Sequence, residues 1–232
     1  MSDFIADYFD VTGPAYVVST ACSSSGRVFL SAKRLLRSGL ADAVIVGGAD
    51  TLCNLTLNGF FGLDSVSSGL CKPFSDERDG INIGEAAAFM LLSLERPDAP
   101  EAIALLGAGD SSDAHHISAP HPEGLGAEVA MRNALADAGL AAADIAYVNA
   151  HGTSTPLNDA MESKAIFRVL GENVPVSSTK PLTGHTLAPQ APLKPPFAGT
   201  SSATAFHCQS PSTSSHGILR LPQSAWQHAG SH

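Results

Sequence analysis

Apolar positions cluster in short runs along the chain. Ala15 to Thr20 (AYVVST) is a β-branched run after Gly13-Pro14 and reads as a buried strand. A turn of small residues follows, Ala21-Cys22-Ser23-Ser24-Ser25. Val28, Leu30, Ala32, Leu35 and Leu36 then give a mostly apolar helix that ends near Gly39. Ala43 to Gly48 (AVIVGG) is a second continuous apolar strand. Strand, helix, strand in this order is a βαβ unit, which predicts an α/β protein with a parallel sheet covered on both faces. Residues 50–80 are richer in turns. Ala86 to Leu94 and Ile103 to Gly109 read as strands, and Glu123 to Ala138 as an amphipathic helix. Ile145 to Ala150 is a strand running into His151, Asp159 to Leu170 a helix, and Val174 to Ser177 a short strand. After Leu187 the periodicity stops. Residues 188–232 are rich in Pro, Ser, Thr and His and are expected to form a disordered tail.

Composition narrows the class. A chain of 232 residues with 44% hydrophobic and 15% charged positions is globular rather than disordered. Its net charge of −9 argues against nucleic acid as a partner, because phosphate neutralisation needs clustered Lys and Arg. Four cysteines, none paired at metal-ligand spacing, predict neither a disulfide framework nor a cysteine metal site, and fit a reducing, cytoplasmic setting. No basic segment followed by an apolar run opens the chain, so no signal peptide is expected. No apolar stretch reaches membrane-spanning length, so no membrane association is expected either.

Three loops carry candidate chemistry. Cys22 follows a strand and opens a helix, where unpaired N–H groups and the helix dipole favour an anion and lower a thiol pKa. The same position also suits a small cysteine buried at a tight strand–helix joint. His151 ends a strand within His-Gly-Thr-Ser-Thr-Pro, at the kind of strand end where active-site residues of parallel sheets collect. It equally suits a cap of the turn before the next helix. His185 lies in a loop with Lys180 five residues before it. Each is ambiguous alone; a Cys, a His and a Lys/His pair after three strands point together to one site.

Taken in order, STACSSS around Cys22, KPFSDERDG at 72–80, NAHGTSTPLND at 149–159 and STKPLTGHTL at 178–187 resemble the β-ketoacyl-acyl-carrier-protein synthases of the thiolase-like superfamily. The resemblance spans roughly residues 10–187. It implies a layered α-β-α-β-α fold of two similar halves. Residues 1–94 would be the end of the first, carrying the nucleophile. Residues 95–187 would be the start of the second, carrying both histidines, with 188–232 as an aberrant tail. It implies acyl transfer from a carrier-protein thioester to Cys22, whose own N–H forms half of an oxyanion hole. His151 and His185 would donate hydrogen bonds, as neutral Nε2–H rings, to a malonyl thioester as CO2 leaves. Lys180 would support them electrostatically. Thr153, Thr155 and Ser118 would line the pantetheine tunnel. Glu162 would be a structural carboxylate near Lys180, and Asn149 a supporting residue. No cofactor or metal is implied; the partners are acyl carrier protein and, through Ala15 to Thr20, a second copy of the chain. STKPLTGHTL points to fatty-acid enzymes, while TACSSS is shared with polyketide ketosynthases.

The chain also departs from that pattern. A whole subunit of the family is nearly twice as long, and the Gly-Phe-Gly loop that supplies the other oxyanion N–H is absent. After Leu187 the family continues Gly-Ala-Ala-Gly, whereas here Ala188-Pro189-Gln190-Ala191-Pro192 follows. Removing one G from a coding sequence for a family-like Gly-Ala-Ala-Gly helix yields the peptide of residues 188–199, so the tail is expected to be an out-of-frame translation. Apolar surface on 100–187 is then expected to face water, and the chain alone to be poorly soluble or molten. Two other readings stand beside the synthase: an inactive fragment that only binds a partner subunit, and a ketosynthase of a polyketide or secondary-lipid pathway. A Cys–His hydrolase has no motif for a third residue. Lys33, Arg34 and Arg37 form either a docking patch for an acidic carrier protein or a solvated helix end.

Overall fold

A computed structural model describes residues 1–95, 103–116 and 119–186, and the backbone of 197–198 and 202–208. The elements are α1 (Ser2–Tyr8), α2 (Ser24–Arg37), β1 (Ala43–Asp50), α3 (Asn54–Phe61), β2 (Ala86–Ser93), β3 (Ile103–Asp110), α4 (Leu125–Ala138), β4 (Val148–Asn149), α5 (Pro156–Leu170), β5 (Val176–Ser177), α6 (Lys180–Thr183), β6 (Phe197–Ala198) and β7 (Ser202–Cys208).

Helix α2 forms because Phe29, Ala32, Lys33 and Leu36 recur at helical spacing and share one buried face. Arg34 and Arg37 in its last turn complement the dipole. That face packs Phe29 and Ala32 on Val46 of β1, with Met90 and Leu92 of β2 and Leu105 of β3 around them. Full burial of Phe29 is worth about 2 kcal/mol. A second core joins α4, β4 and α5 through Ala130, Met131, Ala134, Val148, Ala165 and Ile166. Helix α4 ends at Gly139, whose φ of 68° is the left-handed stop that favours glycine. Helix α5 starts on Pro156, where the missing N–H costs nothing. Helix α4 lies so close to β3 that a Cβ on Gly109 would sit 2.4 Å from the Ala130 carbonyl oxygen.

The sheets differ from the expected βαβ pattern. β1 pairs with β2, and antiparallel, from Ala43 opposite Ser93 to Asp50 opposite Ala86. Among the described strands, only β4 and β5 pair in parallel. Ala15 to Thr20 forms no strand beyond an isolated bridge between Thr20 and Cys22. A strand needs a neighbour for its backbone, and an apolar cleft of about 260 Å3, lined by residues such as Val18, Val28, Leu35 and Val44, lies between this segment and β1. Tyr16 and Val17 are exposed.

The expected tail also contains structure. β7 runs antiparallel along β3, from Ile103 opposite Cys208 to Asp110 opposite Ser202, and β6 pairs with β7. This pairing covers an edge of β3 whose backbone groups would otherwise stand unpaired. Residues 188–196, where the proposed frame change begins, lie outside the described residues.

Three ion pairs tie α2 to the later part of the chain. Lys33, expected at a docking patch or solvated helix end, is buried: its Nζ contacts the Asp137 carboxylate and donates to the Leu106 carbonyl at 3.0 Å. Arg37 also approaches Asp137, at 3.6 Å, and Arg27 pairs with Asp110 at 3.1 Å. Among the described residues no helix is long and apolar enough to cross a membrane. Exposed apolar side chains include Leu55, Phe61 and Leu91 as well as Leu157, Phe167 and Leu182, so they are not confined to residues 100–187.

Candidate active site

The loop that holds Cys22 is built by its small hydroxylated neighbours. Ala21 stands at φ 51°, a left-handed conformation that costs a non-glycine residue about 1 kcal/mol. Short local bonds hold it there. Ser23 Oγ donates to the Thr20 carbonyl at 2.8 Å, Ser24 Oγ to the Ala21 carbonyl at 2.6 Å, and Thr20 N donates to Ser24 Oγ at 2.8 Å. The serines after Cys22 thus fix the bend that delivers the thiol. The expected drop in the thiol pKa does not follow. Burial pushes Cys22 above the ordinary thiol range; the Lys180 charge and its own backbone N–H pull the other way, and Asp50 adds to the rise. Helix α2 begins only at Ser24, so Cys22 precedes the first turn and desolvation outweighs the dipole.

His151 is fixed by its backbone. Glu162 on α5 is almost fully buried; Oε1 accepts the His151 N–H at 2.7 Å and Oε2 the Gly152 N–H at 2.8 Å. Burial raises the Glu162 pKa, and those two N–H groups and Lys180 oppose the rise. Gly152 takes φ 44°, and a Cβ there would strike the Ser178 side chain at 2.5 Å, so the backbone approaches Ser178 too closely for any other residue. Lys180 is 1% exposed; its Nζ bonds the His151 carbonyl and lies 3.3 Å from His151 Nδ1. An ammonium has only donors, so Nδ1 accepts from it and the ring proton resides on Nε2.

His185 is carried by the opposite wall. Its N–H donates to the Asn82 carbonyl at 2.6 Å, and its carbonyl accepts from Gly84 N at 3.2 Å. Its ring meets that of His151 edge to face, with centroids 5.2 Å apart, and Phe60 of α3 lies 6.1 Å away. One ligand-type atom each from Cys22, His151 and His185 falls within 4.8 Å of the others. Three loops distant in sequence therefore converge on one point, with both histidines buried.

The remaining expected residues lie around this centre. Thr153 is buried, and its hydroxyl is 2.9 Å from that of Thr155. Asn149 is buried on β4, and its Oδ1 has no hydrogen-bond partner among the described residues. Ser118 lies outside the described residues. The sequence reading missed two residues. Asp159, 1% exposed, accepts the Phe74 N–H at 2.7 Å and the Ser154 N–H at 3.1 Å. It thereby locks the KPFSDERDG loop to the loop of His151, helped by Lys72 N donating to Ser154 Oγ at 2.9 Å. Asn82 holds Cys71 N at 2.7 Å and, through its carbonyl, His185. Asp159 had a legible signal, an acid in the first turn of a helix opened by proline; Asn82 had none.

The chain is similar to known proteins. Residues 1–97 match the model of the β-ketoacyl synthase N-terminal domain and residues 103–194 that of its C-terminal domain. The chain is 38% identical over 202 residues to 3-oxoacyl-[acyl-carrier-protein] synthase 2 of Staphylococcus aureus, covering 82% of this chain and 50% of that protein. It superposes on a ketosynthase from Xenorhabdus doucetiae, solved in complex with its chain length factor, with a TM-score of 0.82 and 43% identity over 90% of this chain and 63% of the other. A type II polyketide ketosynthase solved with its acyl carrier protein gives a TM-score of 0.74 at 30% identity, over 79% of this chain and 49% of the other. The fold is that of a thiolase-like α/β protein. The chain belongs to the β-ketoacyl synthase family. It spans about half the length of the curated relatives it matches.

Proposed function

We propose that this chain carries the catalytic centre of a β-ketoacyl-[acyl-carrier-protein] synthase. The observation that supports this most directly is the convergence of Cys22, His151 and His185 within 4.8 Å, backed by Lys180. In the first half-reaction the Cys22 thiol attacks an acyl thioester of the carrier protein. An acyl–S bond forms to Cys22 and the carrier leaves as its thiol. Burial holds Cys22 as a thiol, so its proton leaves as attack begins and ends on the departing carrier thiolate. The Cys22 backbone N–H takes one side of the oxyanion. In the second, malonyl thioester enters, and His151 and His185 donate to its carbonyl. CO2 departs, and the resulting enolate attacks the acyl carbonyl and expels Cys22 thiolate. The Lys180 contact that keeps His151 as an Nε2–H donor suits this step. Thr153, Thr155 and Ser118 would meet the pantetheine arm; Asn149 and Glu162 would hold the histidine strand and loop.

The carrier protein is the proposed partner, with a second copy of the chain against the exposed Tyr16 and Val17; the cytoplasm is the proposed location. Fatty-acid synthesis is the pathway the STKPLTGHTL motif favours. Likeness to a ketosynthase solved with a chain length factor supports two alternatives, a polyketide ketosynthase and a chain that only binds a partner subunit. Incubation with acyl-carrier protein followed by intact-mass measurement tests these. An acyl adduct lost in Cys22→Ala is expected for the enzyme. No adduct, with retained binding of a partner subunit, would leave the binding role.

A further inference from the structure

We propose that Cys22, His151 and His185 also form a binding site for a soft divalent cation of the zinc(II) type, and that an occupied site excludes the acyl group. One thiol and two imidazoles make a borderline-soft donor set that suits zinc, with the fourth position open to water. The geometry is near what the ion demands. Tetrahedral zinc at ordinary bond lengths separates its sulfur and nitrogen ligands by about 3.3–3.6 Å. The three atoms here already lie within 4.8 Å of one another, so side-chain rotations of about 1 Å close the site. The backbones behind them are pinned: His151 by Glu162, His185 by Asn82, Cys22 by the serine-braced turn. Burial removes competing bulk water from both histidines.

One neighbour opposes the ion. Lys180 faces His151 Nδ1, so Nε2 is the nitrogen His151 would offer, and Nε2 carries a proton while Lys180 donates to its partner nitrogen. A metal must displace that proton against a buried positive charge. Lys180 is therefore a selectivity element: it keeps His151 a donor and the site weak for metal. Replacing it by an uncharged chain of similar length should tighten metal binding by about tenfold or more, the size of effect that groups behind metal ligands exert.

Cation binding does not depend on the condensing reading; only its inhibitory consequence does. Cobalt(II) serves as the spectroscopic probe on the full chain, followed by zinc competition against a chromophoric chelator. One equivalent of cobalt with four-coordinate visible bands and a thiolate charge-transfer band is expected. That band should vanish in Cys22→Ser, weaken in His185→Asn and strengthen in Lys180→Met. Because variants can misfold, alkylation of the unaltered chain supplies the second arm. Zinc should slow modification of Cys22 while leaving exposed Cys53 as an internal reference. Cobalt binding that survives in both Cys22→Ser and His185→Asn, or equal protection of the two cysteines, would overturn the assignment and place the metal on exposed groups such as His115 and His116. Chelator-reversible loss of acyl transfer tests the inhibition separately.

Discussion

Replacing Glu162 by glutamine keeps the shape of the side chain and removes its ability to accept twice. Oε1 and Oε2 take the N–H groups of His151 and Gly152 at 2.7 and 2.8 Å, and Asn158 Nδ2 approaches Oε2 at 3.3 Å. Glutamine accepts one of these and turns an NH2 toward the other. One charge-assisted bond, worth about 1.5–3 kcal/mol, is lost, and one buried N–H goes unsatisfied at about 1–3 kcal/mol. Removing a buried carboxylate returns part of this, because its desolvation also ends. A net local cost of about 2–3 kcal/mol follows. The direct assay is amide hydrogen exchange at His151 and Gly152, where that cost corresponds to about a 30- to 150-fold loss of protection. Amides in the α4–α5 core provide the reference. Unchanged protection at the two amides would refute the argument that Glu162 holds the loop of His151. A uniform loss across the core would show a global structural role instead.

Other expectations follow from the same geometry. Gly84→Ala places a Cβ 2.2 Å from the Thr183 carbonyl oxygen and 3.0 Å from Gly184 Cα, an overpacking cost of about 1–3 kcal/mol or more. It should displace His185 and depress malonyl decarboxylation; full activity would show that the two loops move apart freely. Asp137 is pushed up by burial, but Lys33, the Ala108 N–H and Arg37 outweigh that and hold it below the usual 3.8. Its contribution is therefore present above that value and lost as pH falls through the depressed one. Asp137→Asn should cost about 1–3 kcal/mol near neutrality, and the gap to the unaltered chain should close in acid unfolding curves. Cys22 should alkylate with a pH midpoint above the ordinary thiol value and Cys53 below its own, since burial raises the first and the Thr56 hydroxyl lowers the second. Lys180→Met should move the Cys22 midpoint still higher, and a downward move would contradict the Lys180 contribution.

Which features were legible in the sequence follows from the range of the forces that set them. Helices α2, α4 and α5 were visible because their apolar spacing and stop signals are local: Gly139 after α4, Pro156 opening α5. The site was visible because each loop carries its own chemistry in sequence. Glu162 was placed only through likeness to a family, since no periodicity announces a carboxylate that accepts two backbone N–H groups. Strand pairing was not visible. AYVVST and AVIVGG look alike as apolar runs, yet the second pairs antiparallel with β2 and the first, among the described residues, forms only a single bridge. A run of Val and Ile states that a segment suits a sheet, not which edge meets it. The error on Cys22 has the same origin. The place of Cys22 before a helix, which by itself favours a lower thiol pKa, is local. The pKa is set instead by burial and by Lys180, 158 positions away in sequence, which only the folded chain brings within reach. Where sequence-distant loops supply the environment, residue identity is readable from sequence and residue state is not. His151 is the sharper case: its proposed role as donor rests on the lysine behind its ring, and Lys180→Met tests that dependence on the rate and on the metal together.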